Sequence, residues 1–145
     1  MHLFRSLLLL LLMLFWVPLP AHELGAMRVT VSFLREGTWQ ADIVVDLAHI
    51  PQAMQPMAAA SAEERKVWSR AFLAACSPAF DGRPAPMDRA VFQGVKEGQP
   101  TQWQYHLEGA IPPGAKTFTW AHNQNLGAFL VTLQHQGDAF SASQC

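Results

Sequence analysis

The chain has 145 residues and a formal net charge of −1. Five tryptophans and nine phenylalanines supply enough apolar surface for one packed domain, which excludes an intrinsically disordered chain. Its lysines and arginines are not clustered, so nucleic acid is not an expected partner, because the neutralisation of phosphates needs clustered cations.

The N-terminal segment has the three parts of a secretory signal peptide. Arg5 supplies the positive charge, an apolar run from Leu7 to Val17 follows, and residues 18–21 end the run with small and helix-breaking residues. The run is shorter than the roughly 20 residues that a membrane-spanning helix needs, so we expect cleavage rather than a retained anchor. We predict a cut after Ala21, with a cut after Ala26 as the alternative, and no membrane span in the mature chain.

Cleavage would leave one exported domain. Residues 1–21 are the predicted signal peptide and residues 22–145 the domain, which is periplasmic if the source is a Gram-negative bacterium. Removal of Arg5 lowers the net charge from −1 to −1 − 1 = −2. Disulfides persist outside the cytoplasm, so Cys76 and Cys145 are a candidate pair. The alternative is a buried thiol at Cys76 and an unpaired cysteine at position 145.

The first part of the predicted domain alternates between apolar and polar residues. Residues 27–34 and 38–47 each place an apolar side chain at every second position, and Glu36 and Gly37 lie between them. Two such runs around a glycine-containing turn predict a β-hairpin with one buried face.

A helical segment is expected at about residues 51–76. Residues 51–60 are predicted to form a short helix that begins at the proline. Ser61 and Glu64 then have the spacing of a capping box, which predicts the start of a second helix that Pro78 stops. An apolar stripe along that helix is expected to pack on a sheet: Val67, Trp68, Ala71, Phe72 and Ala75.

The second half of the domain contains further short strands. They are predicted at residues 79–81, 88–95, 102–107, 116–121 and 128–134, with a turn at Pro112, Pro113 and Gly114. The last strand is apolar on both faces, which predicts a central position in a sheet. About seven strands with one inserted helical segment predict a mostly β fold, an immunoglobulin-like antiparallel β-sandwich.

The sequence contains no nucleophile elbow, no phosphate-binding loop and no His-Glu-x-x-His zinc motif. Asp42 and Asp46 lie on one face of a predicted strand, but four residues of strand separate them by more than about 10 Å. They are expected to lie on a solvated face rather than to act as an acid–base pair. Cys76 has no activating motif beside it. We therefore predict a non-enzymatic protein.

Histidines are the candidate metal ligands. Cleavage before His22 would leave its amine and its ring nitrogen to chelate one ion, which suits Cu(II) or Ni(II). His106 or His122 would supply a further ligand. A second hypothesis places Cu(I) on softer ligands: His49, Met54 and Met57. The alternatives are solvated histidines and methionines that fill the core.

Four segments carry a family resemblance: Ala21-His22-Glu23-Leu24 after the apolar run, Val45-Asp46-Leu47 at the end of the hairpin, Phe118-Thr119-Trp120, and the strand Phe129-Leu130-Val131-Thr132-Leu133. This layout resembles the exported N-terminal domain of HupE/UreJ-type membrane proteins, a family associated with nickel or cobalt uptake. The resemblance implies a β-sandwich outside the membrane and a role in metal handling. The membrane helices of that family are not among these 145 residues, so transport by this polypeptide alone is not expected. The chain is either a stand-alone relative of the exported domain or part of a longer reading frame.

Three functions follow as hypotheses. The first is a non-enzymatic periplasmic module that binds a transition metal, nickel or copper, or assists a membrane metal transporter. The second is a protein–protein interaction domain that uses an exposed strand edge or the aromatic surface around Trp103 and Tyr105. The third is a copper enzyme with an N-terminal histidine, which needs a second histidine within ligand distance of His22.

Overall fold

The computed structural model describes residues 25–56 and 60–135. The predicted signal peptide, His22, Met57 and Cys145 lie outside the described residues. The described elements, in chain order, are β1 Met27–Phe33, β2 Thr38–Asp46, α1 Ala62–Ala75, β3 Cys76–Phe80, β4 Arg83–Pro84, β5 Arg89–Val95, β6 Gln102–Ala110, β7 Phe118–His122 and β8 Phe129–His135.

These strands form two sheets. The larger sheet has the order β5-β6-β2-β1-β8, and the smaller one has the order β4-β3-β7. Strands β1 and β8 run parallel, and the other described pairs are antiparallel. The prediction of a mostly β sandwich with one inserted helical segment is confirmed. No helix in the described ranges is both long and apolar enough to cross a membrane.

The predicted hairpin is the centre of the larger sheet. Strands β1 and β2 pair from Met27 opposite Val45 to Phe33 opposite Trp39. Side chains of alternate residues point to one face, because successive residues of a strand point to opposite sides. Phe33, at the end of β1, is half-buried on the inner face, and the other side chains there are at most 1% exposed: Met27, Val29, Val31, Trp39, Ala41, Ile43 and Val45. The alternation in the sequence therefore predicted both the strands and the face that they bury.

Aromatic side chains join the two sheets at one end of this inner face. The ring centroid of Phe118 in β7 lies 5.3 Å from that of Phe33 in β1 and 5.1 Å from that of Phe80 in β3. Trp39 lies 6.1 Å from Phe118 in the same cluster. Aromatic pairs of this kind add to the burial of apolar area, so the cluster fixes the smaller sheet on the larger one.

Helix α1 covers the neighbouring part of the inner face. Its predicted capping box is present: the Glu64 amide donates to the Ser61 hydroxyl at 3.2 Å, and the Ser61 amide donates to the Glu64 carboxylate at 2.6 Å. Phe72 stacks on Tyr105 of β6 with ring centroids 4.5 Å apart. Trp68 meets Trp103 edge-on at 5.3 Å. The helix and the smaller sheet together form the second layer of the sandwich.

Parts of the helical segment differ from expectation. The predicted helix at residues 51–60 is not formed in its described part, where residues 52–54 make a single 3-10 turn. Pro56 explains this difference, because a proline restricts the preceding residue to extended backbone, and Gln55 has φ −73° and ψ 141°.

The apolar stripe and the end of α1 also require correction. Val67 is 56% exposed and Ala71 is exposed as well, whereas Ser69 is buried. The helix meets the sheet through its large aromatic side chains, which rotates Val67 and Ala71 away from the core. Pro78 does not stop the helix, which ends at Ala75; Pro78 lies inside β3, opposite Trp120.

Candidate functional site

A histidine with two carboxylate partners lies on the outer face of the larger sheet. His106 Nδ1 is 2.7 Å from the Asp42 carboxylate and His106 Nε2 is 3.3 Å from the Glu108 carboxylate. Burial opposes protonation of the ring, but these hydrogen bonds outweigh it and raise the pKa of His106. The protonated ring donates one hydrogen bond to each carboxylate. Nδ1 therefore links β6 to β2 through Asp42, while Nε2 is engaged with Glu108 of β6 itself.

His122 is the last residue of β7 in the smaller sheet, and so lies in the layer that covers the inner face of the larger sheet. Its ring packs on Phe72 with centroids 4.7 Å apart, and its Nε2 is 3.3 Å from the Phe72 carbonyl oxygen. Burial lowers the pKa of His122, which favours the neutral ring. His106 faces outward, because the side chain of its neighbour Tyr105 faces inward. The structure thus does not bring His106 and His122 together, and their proposed partner His22 lies outside the described residues.

The described residues of the second predicted metal set, His49 and Met54, also make structural contacts. His49 Nδ1 lies 3.3 Å from the Asp46 carboxylate, on an exposed 3-10 turn. Met54 packs against the core, and its carbonyl accepts a hydrogen bond of 2.8 Å from Trp68 Nε1. Met57 is outside the described ranges. Across residues 25–56 and 60–135, no group of three or more His, Cys, Asp or Glu side chains is arranged to hold a metal ion.

The two aspartates that the sequence places on one strand face have separate roles. Asp42 accepts the hydrogen bond from His106 and keeps 53% of its side chain exposed. Asp46 accepts a hydrogen bond of 3.1 Å from the Ala48 amide and so caps the 3-10 turn that follows β2. Each carboxylate is used to fix local structure.

Cys76 is buried at the junction of α1 and β3. It is 6% exposed, and its Sγ lies 3.6 Å from the Phe72 carbonyl oxygen. Burial raises the pKa of the Cys76 thiol to about 12, so the thiol is protonated and a poor nucleophile at neutral pH. Cys145 lies outside the described residues, and the disulfide between the two cysteines stays a prediction.

The aromatic surface that the sequence predicts around Trp103 and Tyr105 does not exist. Trp103 is 4% exposed and Tyr105 is fully buried. Their strand was correctly predicted to alternate, but the aromatic residues occupy its inner face, where Trp68 and Phe72 of α1 cover them. This part of the interaction hypothesis is wrong.

Strand β8 is the exposed strand edge that the same hypothesis requires. It lies at the end of the larger sheet, parallel to β1, with Met27 opposite Phe129 and Phe33 opposite His135. Its large apolar side chains remain in contact with solvent: Phe129 is 40% exposed, Leu130 41% and Leu133 46%. The prediction that this strand is central is therefore wrong. We call Phe129–His135 the β8 edge.

The opposite end of the larger sheet is protected in ways that β8 is not. Strand β5 carries Arg89 and has a register shift between Phe92 and Gly94, and both a charge and a bulge discourage pairing with another strand. The β8 edge contains seven residues with no Lys, Arg, Asp, Glu or Pro and with apolar side chains on both faces. Such an edge presents backbone donors and acceptors beside apolar side chains, which is what an added strand needs.

The signal for this edge was present in the sequence. A strand that is apolar on both faces is buried either by its own sheet or by another chain, and periodicity alone does not distinguish the two cases.

The chain matches no family model, and no curated protein or solved structure is significantly similar to it.

Proposed function

We propose that the chain is a non-enzymatic, exported interaction domain that binds an extended strand of a partner protein at the β8 edge. The observation that carries the proposal is the exposure of Phe129, Leu130 and Leu133 on an uncharged edge strand. Large apolar side chains grouped on an exposed strand of a folded domain mark sites where another molecule binds.

The composition of the β8 edge defines the chemistry of the partner. Backbone hydrogen bonds to an added strand provide affinity for any extended segment, and side chains provide the selection. Leu133 lies on the same face as Val131, and Leu130 lies on the other face. The favoured partner strand is therefore uncharged and apolar on both faces, since a charged side chain there would lose hydration beside leucine.

The reactive groups of the described residues support a binding role over a catalytic one. The Cys76 thiol is protonated and buried, and both nitrogens of His106 are held by carboxylates from the sheet itself. These groups stabilise the sandwich. The β8 edge, by contrast, has apolar surface that the described part of the chain leaves uncovered.

Site-specific photo-cross-linking tests the proposal. The photoreactive residue p-benzoyl-phenylalanine replaces Leu133 in one variant and Val67 in a control variant. Val67 is 56% exposed on α1 and Leu133 is 46% exposed, so the two probes have similar access to solvent. Irradiation of cells that export each variant should give a protein adduct from position 133 and none from position 67.

The mass of the adduct identifies what binds. A second copy of the chain and a membrane metal transporter, the partner that the HupE/UreJ resemblance implies, give different masses and different peptides. A third variant combines the probe at position 133 with Leu130→Lys, which should abolish the adduct because it places a charge in the contact. Equal labelling from positions 133 and 67, or no adduct from either, would contradict the proposal.

A further inference from the structure

The sequence of β8 is complementary to itself when two copies run antiparallel. Around a two-fold axis through Thr132, Val131 lies opposite Leu133 of the second copy, and Leu133 lies opposite its Val131. Leu130 then faces Gln134, Phe129 faces His135, and Thr132 faces Thr132. The inner-face contact at the centre is thus aliphatic on both strands, which is a stabilising cross-strand pair.

We propose that the partner strand at the β8 edge is β8 of a second copy of this chain, so that two five-stranded sheets join into one continuous sheet. This inference rests on the proposed function, because it names the occupant of the same edge. A two-fold interface uses one patch on both subunits, and that patch must be complementary to itself.

The chemistry that the edge requires of its partner favours a second copy. The partner strand should place no charge beside Leu130 and Leu133, and β8 itself places Gln134 opposite Leu130 and Val131 opposite Leu133. The pairing places no like charges opposite one another. Arg28 is the nearest arginine in register with the strand, beside Leu130 on β1. Three strand spacings of about 4.8 Å separate Arg28 from Arg28 of the second copy. The distance between the two charges is therefore at least about 14 Å, which exceeds the Debye screening length at physiological salt.

Dimerisation would also remove the unprotected edge of the larger sheet. The joined sheet would end at β5 on both sides, and β5 carries the bulge near Gly94 and the charge of Arg89. Natural sheets end in strands with such features because these strands resist further pairing. The proposed arrangement therefore stops at two copies and does not extend into a fibre.

A cysteine at the two-fold axis gives a direct test. In a Cys145→Ser background, Thr132→Cys places two thiols opposite each other across the proposed axis. Directly opposite residues in antiparallel strands have Cα atoms about 4.5 or 5.5 Å apart, and both values permit a disulfide. Cys76 is 6% exposed and should not compete. The control is Glu63→Cys in the same background, because Glu63 has 72% of its side chain exposed on α1.

We expect mild oxidation to convert Thr132→Cys into a covalent dimer much faster than Glu63→Cys. Sedimentation velocity of the unmodified mature protein should show a concentration-dependent dimer. Leu133→Lys should raise the dissociation constant of that dimer about tenfold or more, with Val67→Lys as the control that leaves it unchanged. Circular dichroism confirms that each variant is folded, and Thr132→Cys is conservative enough to test the axis if Leu133→Lys unfolds.

Failure of this inference and failure of the proposed function have different results. A monomer in sedimentation, with equal cross-linking of the two cysteine variants, would overturn the dimer. The proposed function would still stand if the photoreactive probe at position 133 gave an adduct with another protein. Both would be overturned if that probe gave no adduct.

Discussion

The hydroxyl oxygen of Ser69 on α1 lies 3.2 Å from the phenol oxygen of Tyr105 on β6, inside the contact between the helix and the larger sheet. Ser69 is 4% exposed and Tyr105 is fully buried. Burial raises the pKa of Tyr105, while the hydrogen bond with Ser69 opposes that rise. A polar pair at this position requires each hydroxyl to have the other as its partner, which fixes the rotation of the helix on the sheet.

Ser69→Ala should therefore destabilise the domain by about 1–3 kcal/mol, because it leaves the buried phenol of Tyr105 without a partner. Tyr105→Phe alone should have a cost of similar size, and the double variant should cost less than the sum of the two. Urea denaturation of the three variants measures this coupling. Additive effects would show that the two hydroxyls do not depend on each other.

Gly109 allows the close approach of the segment that precedes β5. Trp39 Nε1 donates a hydrogen bond of 3.1 Å to the Pro86 carbonyl oxygen, and a Cβ at position 109 would overlap that carbonyl. Gly109→Ala should thus destabilise the domain by about 1–3 kcal/mol, since the backbone must shift to make room. Ala110→Ser, at the exposed neighbouring position, should stay within about 0.5 kcal/mol of the parent protein in the same denaturation experiment. Equal stability of the two variants would contradict the close packing at Gly109.

His106 should make stability depend on pH. Asp42 on β2 and Glu108 on β6 raise its pKa above the ordinary value, and Arg89 on β5 pairs with Glu108 at 3.8 Å. A raised pKa in the folded state stabilises the protein below the unfolded value of about 6.5, and this contribution is lost as pH rises through the folded value.

The measurement is the difference in melting temperature between the parent protein and His106→Gln across a pH series. The parent should gain most over the variant between about pH 5 and pH 6.5, and the gain should shrink towards pH 9. Carboxylates begin to protonate below about pH 5, so the gain should fall there as well. A difference that does not change with pH would show that His106 contributes only as a neutral ring.

Burial should keep the Cys76 thiol unreactive. In Cys145→Ser, Cys76 is the remaining cysteine, and its raised pKa of about 12 predicts almost no thiolate at pH 8. A thiol-reactive chromophore should therefore label it only after denaturation. Rapid labelling of Cys145→Ser in the folded state would contradict the buried position.

The same reagent tests the predicted disulfide in the unmodified protein. Denatured without reductant, the mature chain has no reactive thiol if Cys76 and Cys145 are paired and two if they are not.

Local patterns in the sequence predicted most of the fold. The alternation in residues 27–34 and 38–47 identified the hairpin and its buried face, because one strand face contacts the core and the other contacts polar surroundings. Ser61 and Glu64 identified the start of α1, since the capping box is a contact over three residues. These features depend on neighbours in the chain, and a single sequence contains them in full.

The parts that failed depend on contacts between distant segments. The parallel pairing of β8 with β1 joins residues about 100 positions apart, and nothing in the local pattern of β8 identifies its neighbour. The same holds for His106 and His122. They lie in different sheets, because β6 pairs with β2 of the larger sheet and β7 pairs with β3 of the smaller one. Candidate ligand sets that are chosen from residue type alone do not contain this information.

The metal hypothesis now depends on His22. His106 is held between Asp42 and Glu108, and His122 is half-buried with its Nε2 beside the Phe72 carbonyl, so neither ring is free to turn towards an ion without losing a structural contact. If the mature chain begins at His22, its amine and ring nitrogen are the donors that Cu(II) and Ni(II) favour.

Intact mass of the exported protein establishes that start. Titration with Cu(II) or Ni(II) should then give one ion per chain, lost in His22→Ala and unchanged in His122→Asn. Loss of binding in His122→Asn would contradict the placement of His122, and absence of stoichiometric binding to the mature protein would remove the metal hypothesis.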